Sequence, residues 1–210
     1  MWARQIARQT AVRAAFSTQR TAVRPLRSFL HNLARPLPRP ALRVVHRAYS
    51  QAAETDPSRP DIFYHVVNGE SFAVSFLETF GGPDEVIGWL PARAEGAGLN
   101  DFVPNPRFTE LLHASNRAAL EADLDDIQRN GAIQLQNGWM HIHDERNLPP
   151  MGRIGDPDDI IASVLVEDGK IKPETYQAMP AYRTCTAHGV TQLTEGLAAK
   201  LKQTLLETRS

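Results

Sequence analysis

The sequence predicts an α+β domain, an antiparallel β-sheet with helices packed on one face in the order βββααβββα, behind an N-terminal targeting segment. Three observations predict it. β-rich runs joined by short turn signals recur between residues 61 and 92 and again between 139 and 187, and short connections favour antiparallel pairing. Apolar residues at helical spacing fill the stretches between and after those runs. The 210 residues are 42% hydrophobic, enough for one core with an appendage but not comfortably for two domains.

The appendage is written in the charge distribution. Residues 1–53 hold ten arginines, no lysine and no acid, so 13 of the 23 bases and all 24 acids fall in the rest of the chain. The first carboxylate is Glu54. Within "TAVRPLRSFLHNLAR", Val23, Leu26, Phe29, Leu30 and Leu33 gather on one helical arc, and Arg24, Arg27, His31 and Arg35 on another. An Arg-rich, acid-free amphipathic segment has the composition of a mitochondrial transit peptide. "RPLPRPALR" then interrupts any helix, and "RAYS" resembles a mitochondrial processing junction, which puts the mature start at Tyr49 or Ser50. The expected division is a transit peptide over 1–49, a linker over 50–60 and one α+β domain over 61–210.

A secretory signal is excluded because residues 5–50 contain no continuous apolar run. The acidic body speaks against nucleic acid as a partner. No stretch has the roughly 18–20 apolar residues of a transmembrane span, so the body is expected to be a soluble matrix protein. During biogenesis its partners are the mitochondrial import and processing machinery. Cys185 is the single cysteine, which rules out an intramolecular disulfide and a cysteine-rich zinc site.

"DIFYHVVNGESFAVSFL" reads as a hairpin turning at Asn68-Gly69. A loop of two or four residues would put Phe63, His65, Val67, Phe72, Val74 and Phe76 on one face. "EVIGWLPA" is a third strand, and residues 93–103 a glycine-bearing loop. Asn105 followed by Pro106 opens a helix through Phe108, Leu111, Leu112 and Ala119. A second helix covers "DLDDIQRNGAIQLQ", weakened at Asn130-Gly131. "WMHIHD" returns to strand. "IIASVLVEDGKI" is apolar on both faces, hence central, and turns at Asp168-Gly169. "AYRTCTA" is a shorter polar strand, and "VTQLTEGLAAKLKQTLLE" a closing helix with an apolar stripe.

Four residues carry candidate chemistry. His141 and His143 alternate along a strand and share a face with Trp139, so they offer two ligands to a divalent metal, the one cofactor the sequence suggests. A polar strand face without metal is the plainer explanation of the pair. Arg183 and His188 frame a candidate anion site ahead of a helix N-terminus, where Gly189 is also explained by a tight turn. "DPDD" (156–159) matches no EF-hand spacing, and pairing of its acids with Arg146 and Arg153 at the surface accounts for it. His65 is a structural, hydrogen-bonded histidine, and nothing marks Cys185 as a nucleophile. There is no P-loop, dinucleotide fingerprint, serine elbow or HExxH motif.

At "NPRFTELLHASN", "HIHDERNLPPMGRIGDPDDIIASVLVEDGKI" and "TAHGVTQLTEGLAAKL" the chain resembles a small family of fungal mitochondrial proteins of unknown function. The resemblance implies mitochondrial residence and assigns no residue a role. The expected function is a binding or assembly module with a matrix protein partner. The alternative is a small-molecule enzyme or metal-binding protein using His141, His143, Arg183 and His188.

Overall fold

The computed structural model describes residues 53–67, 69–92, 99–150 and 153–209. The amphipathic N-terminal segment, the Tyr49–Ser50 junction and residues 93–98 of the expected loop lie outside the described residues. The class is α+β, as expected. Among the described residues the antiparallel strands form two principal sheets and a short two-stranded ladder, with three helices.

The first sheet runs in the order β1 (Glu54–Thr55), β2 (Phe63–Val67), β3 (Ser71–Ser75), β4 (Val86–Pro91) and β5 (Val103–Pro104). The second is β6 (Gly138–His143), β7 (Ile160–Glu167) and β8 (Lys170–Ala178), with β7 central. β9 (Cys185–Thr186) pairs with β10 (Gly189–Val190). The helices are α1 (Pro106–Glu121), α2 (Asp126–Leu135) and α3 (Glu195–Glu207).

Two cores result, and the same two helices serve both. Phe108 and Leu112 of α1 pack with Leu201 and Leu205 of α3 under the first sheet. Ala119 and Leu120 of α1 pack with Leu197 of α3 under the second. The N-terminal half of one helix thus meets the C-terminal half of the other, which makes α1 and α3 an antiparallel pair bridging the sheets.

Local chemistry fixes the helix starts. Asn105 caps α1 by accepting from the Arg107 amide at 3.1 Å, and its own amide group donates to the Pro83 and Val86 carbonyls at 2.8 and 2.7 Å. Asp125 caps two helices at once. Its Oδ1 accepts from Gln128 N at 3.0 Å in α2, and its Oδ2 accepts from Thr194 Oγ1 at 2.6 Å and Leu197 N at 3.2 Å at the start of α3. α2 runs unbroken through Gly131, where a Cβ would meet Met140 Sδ at 3.4 Å, an ordinary packing distance.

Three details depart from the sequence reading. The loop between β2 and β3 has three residues, and Tyr64 pairs with Val74 and Val66 with Phe72. Tyr64 and Val66 therefore share the core face with Phe72 and Val74, in place of Phe63, His65 and Val67. His65 lies on the opposite face, still buried and structural, its Nε2 donating to the Leu77 carbonyl at 2.9 Å. The third strand of the second sheet is β8, while "AYRTCTA" supplies only β9. Pro173 breaks the β8 ladder, and the Thr175 hydroxyl accepts from Leu165 N at 2.8 Å in its place. Finally, the expected linker is structured from Glu54 onward: β1 pairs with β2, and Arg59 donates to the Val190 and Thr191 carbonyls at 3.2 Å.

Candidate functional site

The end of β6 delivers the Asp144 and Arg146 side chains into the interior. The Arg146 side chain is 1% exposed and lies between Asp144 and Asp159, themselves 0% and 2% exposed. Its Nε donates to Asp159 Oδ1 at 2.8 Å, and its other nitrogens donate to the carbonyls of Gly189, Asp158 and Arg183 at 3.2, 3.2 and 2.6 Å. A planar fork with five donors suits this role, because it ties three chain segments together in one plane. Asp144 accepts from the amides of Arg146 and Gln192 at 3.1 and 2.9 Å and from the Tyr182 hydroxyl at 2.9 Å.

Tyr182 joins the network to both cores. Its hydroxyl also bonds Thr191 Oγ1 at 2.7 Å, and its ring lies 5.7 Å below the Arg146 guanidinium. Enclosure of that hydroxyl, and then the Asp144 carboxylate, push its pKa well above the ordinary tyrosine value. Asp144 is raised by burial, with Arg146 and the surrounding donors opposing the rise.

The network surfaces at a rim. Asn147 Nδ2 donates to Asp159 Oδ2 at 2.7 Å and to Asp156 Oδ2 at 3.2 Å, holding the two carboxylates side by side. His188, on the turn between β9 and β10, comes from the other side, so that one ligand atom of each of Asp156, Asp159 and His188 lies within 4.8 Å of the other two. This is the sole group of three such side chains among the described residues.

The predicted face of β6 is present. Met140 and Ile142 are buried, while Trp139, His141 and His143 point the other way, Trp139 half exposed. The two imidazole centroids are 6.1 Å apart, and His141 Nδ1 shares a hydrogen bond of 2.8 Å with Ser163 Oγ. His143 Nδ1 is enclosed without a hydrogen-bond partner among the described residues, against Gly155, where a Cβ would stand 2.8 Å from it. Burial, then the neighbouring His141, push the His143 pKa down, and Asp159 opposes that.

The anion frame is not at a helix N-terminus. α3 begins at Glu195, and His188 and Gly189 belong to a hairpin in which Gly189 has φ 111°. Arg183 contributes through its backbone, its N–H donating to the Asp158 carbonyl at 3.0 Å. Pairing of Arg146 with the "DPDD" loop does occur, but inside the protein and not at its surface. The Cys185 thiol is partly buried and pushed up in pKa by that burial.

Sequence reasoning did not single out Asp144, Asn147, Asp159, Tyr182 or Thr191. Asp159 stood in the flagged "DPDD" loop, and the Asp-x-Arg spacing was the one available signal for its partner. A second ion pair, buried Glu85 with partly exposed Arg209, likewise joins the turn ahead of β4 to the end of α3, beside a cleft of about 140 Å³ lined by Gly81–Glu85, Thr208 and Arg209.

No family model, curated protein or solved structure matches the chain. Among the described residues no helix is long and apolar enough to cross a membrane.

Proposed function

We propose that the chain is a soluble binding or assembly module of the mitochondrial matrix that docks a protein partner on the outer face of the second sheet. The observation that supports this most directly is an exposed apolar band. Trp139, Leu148 and Ile154 are 50%, 54% and 80% exposed; Trp139 shares its strand face with His141 and His143, and a Cβ on Gly155, next to Ile154, would stand 2.8 Å from the His143 ring. The band has a rigid backing, because Arg146 and Asp144 fasten the loop after β6 to the interior. Such a surface suits a partner presenting its own apolar patch. The four side chains of the enzyme reading have weaker support, since Arg183 engages the network through its backbone and the described cleft lies at the other sheet.

Matrix residence rests on the acid-free arginine segment and on "RAYS". N-terminal sequencing of the protein from mitochondria should find Tyr49 or Ser50 first; retention of residues 2–40 would overturn import with cleavage. Docking is checked by a photo-crosslinker at position 139 in isolated mitochondria. One discrete adduct is expected, and Ile154→Glu should abolish it. An adduct indifferent to Ile154→Glu, or none, removes this face as the docking surface.

A further inference from the structure

We propose that Asp156, Asp159 and His188 bind one divalent transition ion of the zinc class. Asp159 is the anchored member. Arg146 holds its Oδ1 through two nitrogens and Asn147 holds its Oδ2, which keeps a lone pair for a further ligand. Asn147 reaches Asp156 as well, so one amide group sets both carboxylates. Outer donors of this kind orient metal ligands before an ion arrives.

His188 supplies the nitrogen. It stands on a two-residue turn between paired strands, and among the described residues its imidazole makes no hydrogen bond or ion pair. Ligands of one zinc ion, each about 2.0–2.2 Å from it, stand roughly 3.5 Å apart. The exposed Asp156 and His188 side chains therefore need to close by about 1 Å or slightly more on the fixed Asp159, relative to the observed limit of 4.8 Å.

Charge points to a cation independently of ligand spacing. The fold encloses two carboxylates, Asp144 and Asp159, around the single guanidinium of Arg146. The surplus is negative, and an enclosed charge without a counter-charge is costly. Asp156 adds to it at the rim. A dication held there offsets that surplus, and its remaining positions stay open to water because two of the three ligands are exposed. The imidazole selects for zinc over magnesium or calcium, which prefer all-oxygen shells.

The site is distinct from the strand pair His141–His143 and does not depend on the docking face. Calorimetric titration of the untagged full chain with zinc chloride tests it. One ion should bind at this site, and Asp156→Asn and His188→Ala should each weaken it at least about tenfold. His141→Ala should change the Kd by no more than about twofold. Both rim side chains are exposed, so the variants should melt like the parent without zinc, and zinc should raise the parent's Tm but not theirs. The proposal is overturned if zinc gives no heat, or if binding survives both rim substitutions. Loss of binding in His141→Ala alone, or magnesium binding as tightly as zinc, overturns it too.

Discussion

Two enclosed charge arrangements hold the two ends of this fold, and they differ in stoichiometry. At the first sheet Glu85, its side chain 3% exposed, meets Arg209, 27% exposed, one to one. At the second, Asp144 and Asp159 share Arg146, and none of the three side chains is more than 2% exposed. The balanced pair is a clasp between the end of α3 and the turn ahead of β4. It can admit water and still close the chain end. The unbalanced trio organises four segments, and its surplus charge leads outward to the rim at Asp156 and His188. A buried cation with one carboxylate is thus a fastening, whereas a buried cation with two also biases the surface above it.

The largest expected effect comes from breaking the trio. Arg146→Leu leaves two enclosed carboxylates without a counter-charge and should cost about 3–5 kcal/mol, read as a lower urea midpoint. Arg209→Ala should cost less, about 1.5–3 kcal/mol, because Glu85 still accepts from Gly81 N at 3.0 Å and water can reach it. Arg209 also donates to Thr79 Oγ1 at 3.0 Å, so part of the loss is that contact. Equal costs for the two substitutions would erase the distinction between fastening and organising centre.

The features legible in the sequence are those set by neighbours along the chain. Asn105-Pro106 announced α1 because capping uses atoms two residues apart, and Asp168-Gly169 announced its hairpin because both residues take positive φ, 52° and 71°. The parity of β2 was not legible, since a three-residue loop and an even loop begin with the same Asn-Gly signal. β8 was hidden by Pro173 and its polar neighbours, a composition an edge strand tolerates and a central one does not. The site was half legible. Arg146 and "DPDD" were visible as opposite charges thirteen residues apart, but their burial is decided by Tyr182, Thr191 and Gln192 arriving from more distant segments. His188 was noticed for its place before a helix, whereas its actual neighbours, Asp156 and Asp159, come from the other side of β7 and β8.

The smallest effect concerns a third titratable group, His113, which tests whether this interior admits charge only with a partner. His113 lies on α1 between the cores, its Nδ1 sharing a 3.0 Å hydrogen bond with the Tyr176 hydroxyl and its ring edge-on to Tyr176 and Tyr182. Among the described residues burial alone acts on it, and it pushes the pKa below the ordinary histidine value. The folded state therefore binds this proton less readily than the unfolded chain. The stability His113 contributes is present above about pH 6.5 and is lost as pH falls through the window below that value. The slope is at most about 1.4 kcal/mol per pH unit. His143 is depressed as well and adds a slope of the same sign, so the informative quantity is the difference between parent and His113→Gln. Urea unfolding at pH 7.5 and pH 5 should show the parent losing more stability than the variant. An equal loss in both would mean that His113 accepts its proton without penalty, and the interior would then tolerate an unpaired cation that the Arg146 trio implies it does not.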